Sequence, residues 1–90
     1  MSLGVLKTKR VTVTTAGSPV SAGTGIARNL ILVSEAVATQ AIFVQESPTA
    51  STVHARLGPG IQVTIPGEID LSKIYFDASA NNQVVSMFWT

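Results

Sequence analysis

Most of the chain consists of short segments in which apolar and polar residues alternate. Valines alternate with threonines in Arg10–Thr15, and Ile, Val and Ile alternate with Gln and Thr in residues 61–65. Gly, Pro or Asn interrupt such segments at spacings of roughly ten residues, and strict alternation is typical of half-buried strands. Residues 35–40 have room for one helical turn, and a loop there is equally consistent. We therefore predict an all-β fold: a small antiparallel β-sandwich or jelly roll of seven or eight strands.

The C-terminal part carries the clearest pattern. Two segments, with Ala80-Asn81-Asn82 between them, each divide into two alternating sets of residues: Ile74 and Phe76 against Tyr75 and Asp77, and then Val84, Ser86 and Phe88 against Val85, Met87 and Trp89. Asn tolerates the left-handed backbone that a tight turn requires. We therefore predict a closing β-hairpin, and we expect its second strand, which contains Phe88 and Trp89, to be packed. The preceding strand should end at Pro66-Gly67.

The chain is long enough for one domain and no more. We assign residues 9–90 to a single β-sandwich domain and residues 1–8 to an N-terminal arm. The arm is either a disordered start or a segment that reaches onto a neighbouring subunit. In the second case its apolar and basic residues, together with one C-terminal aromatic residue, would contact a shell or subunit: Leu3, Val5, Leu6, Lys7, Lys9, Arg10 and Trp89.

Two segments are apolar on both faces, residues 30–33 and 84–89. A domain this small hides only about 60–65% of its unfolded surface, so its own core cannot cover both faces of these strands. We therefore expect a homo-oligomer, namely a homotrimer.

Composition narrows the function classes. Charged residues make up only 12% of the chain against 46% hydrophobic residues, and the net charge is +1. This charge gives no general attraction to nucleic acid or to an anionic membrane. The absence of cysteine excludes disulfides and thiolate metal sites. No apolar run approaches the roughly 20 residues of a membrane span, and the first residues lack the pattern of a secretory signal.

No catalytic, cofactor-binding or metal-binding motif stands out. The single histidine, His54, lies in the outward register of its segment, where a solvated side chain is far more common than a catalytic one. Glu68 and Asp70 are spaced to share a cation, but a solvated turn fits this segment better. Tyr75 and Trp89 could form a sugar-stacking platform if both lay on one hairpin, although such aromatic residues more often fill a core. We therefore expect that the protein is not an enzyme and that it binds no cofactor.

Three stretches resemble the small virion proteins of tailed bacteriophages. They are Val11–Val20 (VTVTTAGSPV), Leu57–Pro66 (LGPGIQVTIP) and Asp70–Ser79 (DLSKIYFDAS), and the resemblance extends over about residues 10–90. The "YVGD" motif of that family is missing from Glu46–His54. These motifs are structural rather than catalytic.

The resemblance implies a head- or capsid-associated component. Small β-sandwich proteins of this kind serve as capsid decoration (cement) proteins, are often trimeric, and stabilise the head by bridging subunits of the major capsid protein. A protein of this kind would be made in the host cytoplasm and located on the capsid surface of the virion. The alternatives are another virion component, such as a tail or fibre-base protein, or a host-surface carbohydrate-binding module of the same fold.

Overall fold

The computed structural model describes residues 6–46 and 55–90. Within them lie one turn of 3-10 helix, Leu71–Lys73, and eight strands. In chain order the strands are β1 (Lys7–Val13), β2 (Val20–Ser21), β3 (Ile26–Ser34), β4 (Ile42–Gln45), β5 (Ala55–Leu57), β6 (Gln62–Asp70), β7 (Tyr75–Ala78) and β8 (Gln83–Trp89). They form two four-stranded antiparallel sheets: sheet A in the order β1-β8-β3-β6, and sheet B in the order β2-β7-β4-β5. The predicted all-β sandwich is confirmed. No helix in the described part of the chain is long and apolar enough to span a membrane.

The strand order is that of a jelly roll. β1 pairs with β8, β2 with β7, β3 with β6 and β4 with β5, as if one long antiparallel hairpin had been rolled up. The further pairs β3–β8 and β4–β7 join the rolled ribbon into two sheets. Eight strands wound in this way are the jelly-roll solution to burying one face of each sheet.

The core lies between the two sheets and is formed by the alternate residues that face inward. Its largest fully buried side chains are Phe76 and Ile42 from sheet B, and Leu30, Leu32 and Met87 from sheet A. The same alternation that identified the strands in the sequence therefore divides each strand into a core side and an outer side.

The predicted closing hairpin is wrong. The alternation is as expected, since Ile74 and Phe76 are buried while Tyr75 is half-buried. However, β7 belongs to sheet B and β8 to sheet A, so the turn at 80–82 crosses from one sheet to the other. Asn82 has the expected left-handed backbone, with φ of 59°. A turn-forming asparagine therefore marks the reversal of the chain without deciding which strands become hydrogen-bonded neighbours.

Strand β6 does not end at Pro66-Gly67, contrary to the prediction. Arg28 pairs with Glu68 and Leu30 with Ile65, so one residue of β3 lies opposite two residues of β6. This is a β-bulge. Gly67 has φ of 80° there, and Pro66 is tolerated because β6 is the edge strand of sheet A.

Residues 7 and 8 of the expected arm belong to the first strand. β1 begins at Lys7, and both Lys7 and Thr8 are paired with β8, opposite Trp89 and Phe88. Residues 1–5 of the expected arm, and His54, lie outside the described residues.

Candidate interaction surface

The outer side of sheet A has an apolar centre. β8 and β3 are the two inner strands of this sheet, and their outward-facing residues Val84, Phe88, Ile31 and Val33 are all half-buried. They lie on the side of the sheet that faces away from the core. We call the whole surface the outer face of sheet A; it consists of Thr8, Arg10, Thr12, Ile31, Val33, Gln62, Thr64, Val84, Ser86 and Phe88.

The strand registers arrange this face in rows across the sheet. One row runs Thr8, Phe88, Ile31, Thr64, and the next runs Arg10, Ser86, Val33, Gln62. The apolar side chains therefore form a stripe along the middle. Hydroxyl and amide side chains border the stripe on both edge strands, and Arg10 lies among them on β1. A stripe of this kind is suited to contact with another protein surface, because the centre can be buried while the border keeps its hydrogen bonds.

The charge of Arg10 on this face is neutralised by Glu35, the residue that follows β3. Nε of Arg10 donates to Oε2 of Glu35 at 3.0 Å, and Nη2 donates to Oε1 at 3.2 Å. The Ser86 hydroxyl donates to the same Oε2 of Glu35. The hydrogen bond from Ser86, followed by those from Arg10, holds the pKa of Glu35 below its ordinary value. The Arg10 side chain is 68% exposed and the Glu35 side chain 38% exposed, so the pair adds little stability; its main effect is to neutralise the charge of Arg10 on this face.

The outer side of sheet B is different in character. Its outward residues are Ser21, Phe43, Gln45, Arg56, Tyr75 and Asp77. The Asp77 carboxylate accepts hydrogen bonds from the backbone N–H groups of Gly17, at 2.8 Å, and Ala78, at 2.7 Å. Its strands β2 and β5 contribute only two and three residues, so this side offers a smaller surface.

The sugar-stacking platform is not formed. Tyr75 lies on the outer side of sheet B, whereas Trp89 belongs to sheet A and packs against the core. The two aromatic rings therefore do not share a surface, and the separation follows from the failure of β7 and β8 to pair.

An apolar groove lies between the end of β4 and the middle of β6. It has a volume of about 470 Å³ and is lined by Val44, Ile65, Ile69 and Ile74, with Gln45, Glu46 and Lys73 as polar members. Glu46, which lines the groove, is the last residue of the first described range, and the second range begins at residue 55.

The predicted contact residues are placed in three different settings. Leu6 is 64% exposed, while Leu3 and Val5 lie outside the described residues. Lys7, Lys9 and Arg10 are part of β1.

Two of these basic side chains already have partners within the chain. Nζ of Lys9 donates to the Ala22 carbonyl at 3.1 Å, and Arg10 is paired with Glu35. Trp89, as described above, contributes to the core.

The acidic residues considered for a cation are engaged elsewhere. Glu68 pairs with Arg28 at 2.6 Å, and Asp70 caps the 3-10 turn by accepting from the Ser72 N–H at 2.9 Å. The Ser72 hydroxyl and N–H together lower the pKa of Asp70. In the described ranges, no three His, Cys, Asp or Glu side chains are grouped as metal ligands.

The outer face of sheet A was not identified from the sequence. The alternating threonines and valines of β1 indicated an outward side, but which strands lie next to β1 depends on pairing between distant segments.

Neither the family models nor the curated proteins with which the chain was compared contain a match.

Proposed function

We propose that this protein is a bacteriophage capsid decoration protein, which stabilises the head by bridging neighbouring subunits of the major capsid protein. It would be made in the host cytoplasm and assemble on the outer surface of the virion, in several copies around a local symmetry axis. Each copy would add contacts that must break before the shell can rupture.

One observation carries the proposal: the outer face of sheet A has an apolar stripe along its two inner strands. The stripe consists of Val84, Phe88, Ile31 and Val33. Its borders carry hydroxyl and amide side chains and Arg10, whose charge is paired with Glu35. A sheet face with an apolar centre and a polar border suits contact with another protein. The resemblance of the sequence to small phage virion proteins supports the same role.

The fold is compatible with this role but does not decide it. Jelly rolls occur in viral capsid domains, and they also occur in lectins and cupins. The lectin alternative would need an aromatic sugar platform, and Tyr75 and Trp89 lie on different sheets. We therefore favour the capsid role over carbohydrate binding.

We propose that the N-terminal arm contacts the shell or the adjacent subunit, in addition to the contact made by the outer face of sheet A. Leu6, at the base of the arm, is 64% exposed. Ordering an arm residue costs about 1–2 kcal/mol, and burying a Leu or Val side chain contributes about 1.5–3 kcal/mol. Burial of Leu3, Val5 and Leu6 in one arm would therefore only just offset the cost of ordering it, so binding would depend on several arms acting together.

The test is binding to particles that lack the protein. Capsids of the virus whose genome encodes this chain, produced without it, should bind the purified protein in co-sedimentation, and decorated capsids should withstand higher temperature than bare ones. A protein that leaves these capsids undecorated at tens of micromolar would contradict the capsid role. Electron microscopy that locates it on the tail would instead support the tail or fibre-base alternative.

The arm is tested separately by deleting residues 2–6. The deletion stops before Lys7, because Lys7 and Thr8 are paired in β1. A matched variant keeps the length and replaces Leu3, Val5 and Leu6 with serine. We expect both variants to keep the circular dichroism spectrum and melting temperature of the wild type while binding capsids more weakly. If both decorate capsids as tightly as the wild type, the arm does not make the contact.

A further inference from the structure

The N-terminal arm joins the sandwich beside the outer face of sheet A. Residues 1–5 lie outside the described residues, and the chain enters β1 through Leu6, which is exposed. β1 is an edge strand of sheet A, and its neighbour is β8. Thr8 is paired with Phe88, so the apolar stripe begins one strand away from the base of the arm.

We infer that residues 1–5 fold back over the outer face of sheet A of the same chain and cover its apolar stripe. This inference goes beyond the proposed function and does not depend on it, because the contact forms within a single chain and without a capsid. A partner that binds this face would first have to displace the arm.

The length of the arm matches the width of the face. The row that contains Thr8 continues through Phe88 and Ile31 to Thr64 on the opposite edge strand. Neighbouring strands lie about 4.8 Å apart, so the row is roughly 14 Å wide. Five extended residues span up to about 17 Å. The arm is therefore long enough to cross the whole face, and little of it would be left over.

The composition of the arm also fits this contact. It reads MSLGV, so apolar residues alternate with small ones. In an extended segment Met1, Leu3 and Val5 share one side and recur about every 6.6 Å. Val5 would therefore lie over Phe88, the first apolar residue of the row. Leu3 would lie over Ile31, the second one.

The other apolar surfaces of the described residues lie farther from the base of the arm. Phe43 is on the far side of a sandwich whose sheets are about 10 Å apart, and its strand is two strands in from the edge at β2. The groove lined by Ile65 and Ile69 lies on the core side of β6, at the edge opposite β1. The apolar stripe is therefore the surface that a short arm reaches first.

The contact should be only marginally stable. Burial of three apolar side chains only just offsets the cost of ordering five residues. A covered form and an open form should therefore coexist, and this agrees with an unchanged melting temperature after deletion of residues 2–6.

The first test compares the wild type with Leu3→Ser/Val5→Ser, a variant that keeps the length of the arm. In nuclear magnetic resonance spectra, the side-chain signals of Ile31 and Val33 should shift because the variant uncovers them. The signals of Phe43, on the outer side of sheet B, should stay in place and serve as the control. Unchanged signals at Ile31 and Val33, or wild-type signals there that change on dilution, would contradict a contact within one chain.

The second test uses the absence of cysteine from the chain. One variant combines Leu3→Cys with Thr64→Cys, on the outer face of sheet A, and the matched control combines Leu3→Cys with Thr24→Cys. Both threonines are exposed. Thr24 follows Ala22, whose carbonyl accepts from Lys9 of β1 at 3.1 Å, so a freely moving arm would also reach it.

We expect the disulfide between positions 3 and 64 to form at least about fivefold faster than the one between positions 3 and 24, at a rate that does not depend on protein concentration. Adding Val5→Ser should slow the first reaction to the rate of the control, because Val5 holds the arm on the stripe.

Equal rates for the two pairs would show that the arm has no preferred surface, and disulfides between two chains would assign the arm to another copy. Either result overturns the inference, and so does a rate that Val5→Ser leaves unchanged. Failure of these tests would leave the capsid-binding experiment unaffected, and failure of that experiment would leave these results standing.

Discussion

Replacing Gly67 by alanine should destabilise the domain even though there is room for the added methyl group. Gly67 lies in the bulge of β6 with φ of 80°, and a Cβ atom built there meets nothing within 4 Å. Steric crowding by neighbouring side chains is therefore absent, and the backbone conformation alone determines the cost. Gly67→Ala therefore measures one physical effect, the free-energy cost of a left-handed backbone at a residue that has a Cβ atom.

The expected magnitude follows from two opposing contributions. An L-residue in the left-handed region costs about 1–2 kcal/mol. Replacing Gly by Ala also restricts the unfolded chain, which returns about 0.4–1 kcal/mol to the folded state. We expect Gly67→Ala to lower the free energy of unfolding by about 1 kcal/mol net, which corresponds to a fall of roughly 4–8 °C in melting temperature for a domain of this size.

Gly58→Ala provides the matched control. Its φ is not in the positive range, and the added Cβ atom would meet Cγ1 of Ile61 at 3.9 Å, an ordinary contact. This variant should be neutral or more stable than the wild type by up to about 1 kcal/mol. Urea unfolding of both variants measures the difference. If Gly67→Ala is as stable as Gly58→Ala, the left-handed conformation at the bulge, and with it the pairing of Arg28 with Glu68, is wrong.

Two further predictions concern the core and the pH dependence. Phe76→Ala should lower the free energy of unfolding by about 3–5 kcal/mol because Phe76 is fully buried, whereas Phe43→Ala, on the outer side of sheet B, should cost less than half as much in the same denaturant titration. The folded-state pKa values of Glu35 and Asp70 are lowered from ordinary values of 4.5 and 3.8. Both carboxylates therefore stabilise the folded state above those ordinary values, and this stabilisation is lost as the pH falls through the lower folded-state values. Glu35→Gln should therefore reduce stability near neutral pH, and its difference from the wild type should shrink below about pH 4; a difference that is constant with pH would contradict the hydrogen bonds from Ser86 and Arg10.

Local patterns were sufficient to predict the faces of the strands. The alternation of Val11 and Val13 with Thr12, and the burial of Ile74 and Phe76, follow directly from the two-residue period of a strand. The fold class followed as well, because every apolar segment was too short or too regularly alternating for a helix.

Pairing between distant segments could not be predicted in the same way. The turn at Asn82 has the backbone conformation of a hairpin turn, yet its flanking strands join different sheets. Likewise, Gly67 permits a bulge as readily as a strand end, and only the partner strand β3 distinguishes the two. The outer face of sheet A depends on this long-range register, so it became visible only when β1, β8, β3 and β6 were placed side by side.

The pairing of β1 with β8 has a consequence for how the protein forms. Lys7 lies opposite Trp89, although almost the whole described chain separates them. Sheet A therefore cannot be completed while β8 is still inside the ribosome, and closure of so long a loop places the domain among the slow-folding topologies, on the millisecond-to-second scale. Trp89 is the single tryptophan of the chain and packs against the core from β8. Its fluorescence consequently reports the step in which the two ends of the rolled ribbon come together.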